Sequence, residues 1–183
     1  MRRGHVCPWW LAYGFDNPFR RLIHDPQRIF AGLVRRGETA LDVGCGMGYF
    51  SLALAGIVGE DGQVIAADLQ PQMLERVRRR ALRGGLQKRI RLHRCEPGKI
   101  GLREKVDFAL AFWMVHEIPE KGEFMGELHG LLRPGGRLLL VEPRLHVSGR
   151  EFRRTLQIAS QEKLFPLRNI SVALSRAALL GPN

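Results

Sequence analysis

Between Leu41 and Tyr49 the chain reads LDVGCGMGY, with glycine at 44, 46 and 48 behind an acid, Asp42. Glycine at alternate positions marks backbone that must turn sharply or come very close to a ligand. A GxxxxGK phosphate loop is excluded, because no lysine follows these glycines. A dinucleotide fingerprint needs its third glycine at 49, and that residue is Tyr49. A second acid, Asp68, comes 20 residues after Gly48, where a carboxylate can hold the hydroxyls of a ribose. Taken singly, Asp68 also reads as a helix cap and the glycines as a tight turn. Taken together they suit a nucleoside ligand with no pyrophosphate to cradle.

These residues need elements to hold them. Asp25-Pro26 is a helix start, Asp capping and Pro at the first helical position. Ile29, Phe30, Leu33 and Val34 give that helix an apolar stripe, and Gly37 ends it. Thr39 to Val43 reads as a buried strand, followed by a helix through Phe50, Leu52, Leu54 and Ile57. Gln63 to Asp68 is a second strand, Arg89 to Arg94 a third and Val106 to Phe112 a fourth. Helices run from Pro71 to Gly84-Gly85 and from Glu120 to Leu132. The turn Arg133-Pro134-Gly135-Gly136 leads into a fifth strand, Arg137 to Glu142. A helix over Gly149 to Glu162 precedes two short strands between Leu164 and Leu180. Strands separated by helices imply an α/β doubly wound, Rossmann-like sheet, mostly parallel, with helices on both faces. The two last strands, with no helix between them, predict a C-terminal antiparallel hairpin and a seven-stranded sheet. In such a sheet ligands bind beyond the carboxyl ends of the strands, where the glycine loop lies.

Three segments in this order, ALDVGCGMGYFS, VIAADLQPQML and LLRPGGRLLLVEP, resemble the best-marked parts of the class I S-adenosylmethionine-dependent methyltransferases. The resemblance covers about residues 26 to 180. It implies that Gly44, Cys45, Gly46, Gly48 and Tyr49 lie against the methionine end of S-adenosylmethionine, with Asp42 holding the amino group. It implies that Asp68 takes the ribose hydroxyls and that Leu69 lies beside the adenine. Met73 and Phe112 join the same cofactor set. Family members carry Gly-Asp after the third strand, whereas this chain has Arg94-Cys95-Glu96. Glu96 then substitutes for the missing acid, or Cys95 lines an apolar adenine slot. Cys45 reads as packing rather than as a nucleophile.

Methyl transfer is an in-line displacement, so alignment and exclusion of water matter most. A base is needed where the acceptor must lose a proton early. The Asn-Pro-Pro-aromatic or Asp-Pro-Pro-aromatic motif of enzymes that methylate adenine or amide nitrogens is absent after the fourth strand. The segment there, FWMVHEIPE, is closer to the small-molecule and quinone-biosynthesis branch, with His116 and Glu117 in the acceptor region. His116 is the first candidate for acid/base work, with capping or packing as its other reading, and Tyr13 is the second. His24 is a further polar candidate for the pocket. Trp9, Trp10, Tyr13, Phe15 and Phe19 cluster in an N-terminal aromatic segment, residues 1–24, read as a lid on the domain 25–183 or as a helix on the sheet edge.

At 183 residues, 45% hydrophobic and 26% charged, the chain has the composition of one globular domain. No apolar run approaches the roughly 18 residues a membrane span needs. The basic start is too broken by Gly14 and Asp16 for a signal peptide, so a cytoplasmic protein is expected. Three cysteines without a CxxC pair, and six scattered histidines, imply no metal. The expected partner is a small-molecule acceptor. The net charge of +11, concentrated in the arginine block at 76 to 94, supports a rival, an RNA methyltransferase gripping phosphates. A second rival is a cofactor-binding subunit that acts only with a partner.

Overall fold

The computed structural model describes residues 20–182. Tyr13 and the aromatic cluster of Trp9, Trp10, Phe15 and Phe19 lie outside the described residues. In chain order the elements are α1 (Arg20–Ile23), α2 (Pro26–Phe30), β1 (Thr39–Val43), α3 (Tyr49–Val58), β2 (Gln63–Asp68), α4 (Pro71–Arg83), β3 (Ile90–Arg94) and β4 (Val106–Phe112). A single 3-10 turn (Val115–Glu117) follows, then α5 (Lys121–Leu131), β5 (Leu132–Pro143), α6 (Gly149–Gln161), β6 (Leu164–Asn169) and β7 (Ser175–Pro182). The sheet order is β3-β2-β1-β4-β5-β7-β6, with β7 antiparallel to both neighbours and every other pair parallel.

Period two along each central strand feeds two separate cores. Phe108, Leu110 and Phe112 of β4 face one side with Leu139 and Val141 of β5; Ala109, Ala111, Leu138 and Leu140 face the other. The first core is closed by Phe30, Phe50 and Leu54, the second by Phe124, Met125 and Leu128. Burial on both faces is why these strands read as continuous apolar runs rather than as alternating ones. From β1 the chain winds outward through β2 to β3, and from β4 it winds the other way. The carboxyl ends of β1 and β4 therefore flank the switch point, where a ligand crevice opens.

The helix expected from Asp25 to Gly37 is much shorter. Asp25 caps it, accepting from the Gln27 N–H at 3.0 Å, but the chain leaves helical geometry at Ala31. Leu33 and Val34 are buried all the same, carried into the core by a turn. The fifth strand begins earlier than Arg137. It pairs Leu132 with Val106, then Arg137 with Phe108, so the Pro134-Gly135-Gly136 stretch is a bulge inside a longer strand. The hairpin of β6 and β7 is present as expected. Among the described residues, no helix is long and apolar enough to cross a membrane.

Candidate active site

The glycine loop is fixed from two directions. The N–H groups of Gly44 and Cys45 both donate to the Ala67 carbonyl, at 2.8 and 3.0 Å, tying the end of β1 to the end of β2. Gly44 has φ 68°, and a Cβ there would stand 3.0 Å from Met114 Cγ. Gly48 has φ 80°, and a Cβ there would stand 2.9 Å from Val77 Cγ2 on α4. At both positions the left-handed backbone favours glycine, and an added Cβ would force Met114 or Val77 to shift. From the same helix the Arg80 guanidinium donates to the Met47 carbonyl at 2.9 Å.

The two acids are buried against this loop. Asp42, 2% exposed, accepts from Ser51 Oγ at 2.5 Å. Asp68 accepts from the N–H of Gly46 through Oδ2 and of Gln70 through Oδ1, both at 2.9 Å. Burial raises the Asp68 carboxyl above the usual range, against backbone N–H groups that act to lower it. Backbone donors and a buried carboxylate thus converge at the ends of β1 and β2.

They open on a cavity of about 430 Å³, within the range of roughly 300–1,000 Å³ usual for small-molecule pockets. Its wall includes Asp42, Gly44, Cys45, Gly46 and Tyr49 on one side, and Asp68, Leu69 and Met73 on the next. Cys95 and Glu96 continue it, and Phe112 at the end of β4 and His116 in the turn that follows close it. Gly48 is not in the wall; it serves the packing of the loop on Val77. The Glu96 segment is a tight backbone bridge to Lys99, at 3.0 and 3.1 Å. Glu127 of α5 steadies it, accepting from the N–H groups of Ile100 and Gly101 at 2.8 and 2.6 Å. Burial pushes the Cys45 thiol well above its ordinary range, and the Cys95 thiol up to about 12. Both remain protonated at neutral pH, which suits lining rather than nucleophilic attack.

The far side of the cavity is built by side chains. Trp113 takes a left-handed φ of 58°, held by its N–H on the Val141 carbonyl (2.8 Å) and its indole N–H on Ser175 Oγ (2.9 Å). His24 does not line the cavity. It is buried edge-on to Phe112 and Trp113, its Nε2 3.0 Å from the Ala173 carbonyl, and its own carbonyl accepts from the Tyr49 hydroxyl at 2.9 Å.

Glu142, at the carboxyl end of β5, is 2% exposed. It accepts from the Val115 N–H at 2.9 Å and the His116 N–H at 3.3 Å, and its other oxygen lies 2.6 Å from His116 Nδ1. This hydrogen bond raises the His116 pKa above its ordinary 6.5, against the opposing effect of burial. With Nδ1 engaged, Nε2 is the ring atom left to face a ligand. The His146 ring centroid is 6.0 Å from that of His116, and Glu117 Oε1 is 4.0 Å from Nε2. Glu142 is absent from the site read in the sequence, although one sign was there: a lone acid at the end of the apolar run LLLVE.

The fold is that of the class I methyltransferases, and comparison with known proteins gives the family. Residues 35–169 match the family model of the methyltransferase domain. The chain belongs to that family, as a class I S-adenosylmethionine-dependent methyltransferase. It is 31% identical over 135 residues to the ubiquinone biosynthesis O-methyltransferase of Xanthomonas axonopodis pv. citri, covering 72% of this chain and 54% of that protein. Over 133 residues it is 31% identical to the ubiquinone/menaquinone biosynthesis C-methyltransferase UbiE of Haemophilus ducreyi, covering 72% and 49%. The chain thus spans about half the length of the curated relatives it matches. In fold it is similar to a SAM-dependent methyltransferase from Aquifex aeolicus, with TM-score 0.86, 24% identity, and 96% and 98% of the two chains covered. The [4+2]-cyclase SpnF shares the fold at TM-score 0.68 and 21% identity, covering 83% of this chain and 60% of that one, so the reaction has to be argued from the site.

Proposed function

We propose that this chain transfers a methyl group from S-adenosylmethionine to a small-molecule acceptor whose reacting atom carries a proton. The observation that carries the reading is the His116–Glu142 pair, 2.6 Å apart, in the same cavity as the glycine loop and Asp68. Asp68 would take the ribose hydroxyls, Asp42 and the backbone of Gly44 to Gly46 the methionine end, and Leu69, Met73, Cys95, Glu96 and Phe112 the adenine side. When bound, the cofactor supplies a methyl group on a positively charged sulfur that leaves as a neutral thioether.

The chain's own work is then to align and to move one proton. Glu142 holds the His116 ring by Nδ1, so that neutral Nε2 can accept the acceptor's proton as the new bond to carbon forms. The buried carboxylate stabilises the imidazolium that results. The walls of Phe112, Trp113, Met114 and Phe124 exclude water around that step. An apolar or aromatic metabolite with an ionisable hydroxyl or an acidic carbon suits this lining. The described cysteines, Cys45 and Cys95, are free, in keeping with a reducing, cytoplasmic setting.

The RNA reading is less well supported. Much of the arginine block at 76 to 94 is engaged within the fold: Arg78 and Arg79 on Glu75, Arg80 on Met47, Arg89 on Glu60 and Arg91 on Glu104. The test is transfer of labelled methyl from S-adenosylmethionine into a panel of phenols, catechols and quinols, with identification of the labelled product. Label entering the pool only through RNA, or only after a second protein is added, would replace this reading with one of its rivals.

A further inference from the structure

A second cavity, of about 250 Å³, lies behind the acceptor side of the first. Arg144, Arg153 and Arg176 line it together with Ser171 and Ser175, and no carboxylate does. The two cavities share a wall. Trp113, in the first, donates its indole N–H to Ser175, in the second, and Pro143 and Arg144 are consecutive residues facing one cavity each.

Arg144 and Arg153 are exposed and Arg176 is half-buried, and two of the three are tethered to backbone. Arg144 donates through Nε to the Ser175 carbonyl at 2.9 Å, and Arg176 through Nε to the Val147 carbonyl at 3.1 Å. These bonds fix the guanidinium planes and leave their terminal nitrogens over. Arg153 Nη1 and Arg176 Nη1 both come within 3.6 Å of the point where a Cβ on Gly149 would stand. Two like charges are thus brought to one spot, at the first residue of the 13-residue helix α6. The positive end of that helix adds to the field. Glu151, in the first turn, opposes it in part, but its carboxylate is taken by the Ser148 N–H at 2.7 Å.

Several arginines of this fold hold a carboxylate. Arg28, Arg78, Arg79, Arg89, Arg91, Arg133 and Arg137 each have one. Arg144, Arg153 and Arg176 have none among the described residues. Like charges held close without a counter-charge raise one another's energy, and a bound anion relieves it. Guanidinium forks match the oxygens of carboxylate and phosphate groups.

We infer that the cavity of Arg144, Arg153 and Arg176 is an oxyanion site that holds a carboxylate or phosphate group carried by the methyl acceptor. The volume suits one such group rather than a whole ligand, and the wall shared through Trp113–Ser175 and Pro143–Arg144 makes it a neighbour of the first cavity. The inference deepens the function proposed above and rests on it for the word acceptor, but the anion site itself does not.

The experiment therefore has two arms. Calorimetry with inorganic phosphate, on the protein without acceptor, reads the site alone. Saturable one-to-one binding is expected, weakened about tenfold or more in Arg153→Gln by loss of a charge-assisted contact. Arg78→Gln, which alters an arginine already clamped by Glu75, leaves it unchanged. Arg144→Gln serves as a second variant. Absence of saturable binding, or equal affinity in all four proteins, overturns the site. The second arm compares a carboxylate-bearing acceptor with its methyl ester. Wild type should prefer the acid in kcat/KM, and Arg153→Gln should lose that preference with the ester rate unchanged. Phosphate binding without that preference overturns the assignment to the acceptor. Phosphate binding with no methyl transfer to any acceptor counts against the methyltransferase reading and leaves the anion site standing.

Discussion

The two halves of the sheet hold their site residues by different means. On the β1–β2 side the work is done by backbone: Gly44 and Cys45 N–H on Ala67, Gly46 N–H on Asp68, and close approach of the loop to Met114 and Val77. On the β4–β5 side it is done by side chains that meet across the sheet: His116 on Glu142, Trp113 on Ser175, Arg144 on the Ser175 carbonyl. Backbone geometry suits a ligand that is always the same. Side-chain geometry suits one that can change from protein to protein without disturbing the loop. On the function proposed above, the donor belongs to the first half and the acceptor to the second.

The comparison breaks most sharply at Asp68. Asp68→Ala removes the charged acceptor of two backbone N–H groups and the group assigned to the ribose. Loss of S-adenosylmethionine affinity of at least about 100-fold is expected, measured by calorimetry. Affinity close to that of wild type would detach the donor site from this acid.

Glu142→Gln probes the other half, and its effect should fall on rate rather than on donor affinity. The amide keeps an oxygen for the Val115 N–H but loses the charge that supports the imidazolium. A drop of about 100-fold in kcat is expected for a misaligned base, with S-adenosylmethionine affinity unchanged. The pH dependence gives a second reading. His116 must be neutral to accept a proton, and Glu142 raises its pKa above 6.5. In wild type the rate should therefore climb as pH rises through that higher value, and in Glu142→Gln the rising limb should move to lower pH. Stability runs the opposite way. The pair's contribution is fully present below the ordinary histidine pKa and fades as pH rises through the raised one. A rising limb that stays put in Glu142→Gln would show that Glu142 does not set the titration.

How the two halves differ in legibility follows from the same physics. The donor half is local: an acid, spaced glycines and a second acid at the end of the next strand all lie within 27 residues, and strands β1, β2 and β4 run between the residues their apolar runs imply. The acceptor half depends on partners 26 residues apart, His116 and Glu142, brought together only by the pairing of β4 with β5. Each residue alone has an ordinary reading. The same holds for Arg153 of α6 and Arg176 of β7, which the fold brings to one cavity. Boundaries set by packing were also hidden. The helix at Pro26 stops at Ala31 although its apolar stripe continues, because a turn buries Leu33 and Val34 just as well.

Gly48 sharpens the comparison within the donor half. Gly48→Ala meets both a left-handed φ and Val77 Cγ2 at 2.9 Å. Left-handed strain and overpacking each cost roughly 1–2 kcal/mol, so a loss of about 2 kcal/mol or more in urea unfolding is expected. Donor affinity should fall with it, although Gly48 is not in the cavity wall, because α4 and the loop move apart together. Unchanged affinity at reduced stability would separate the loop's packing from its binding.

Gly135 is the matching position in the bulge of β5, and there the effect should be smallest. Its φ is 73°, as left-handed as that of Gly48, but a Cβ would meet nothing within 4 Å. Gly135→Ala therefore isolates the backbone term, about 1 kcal/mol for a left-handed alanine. The bulge lies at the amino-terminal part of β5, at the opposite end of the strand from Glu142. Both donor affinity and the rate should accordingly match wild type in calorimetry and labelled transfer. If Gly135→Ala weakens donor binding as much as Gly48→Ala does, the glycine loop owes nothing special to its contact with α4, and the division of labour between backbone and side chains fails at its first premise.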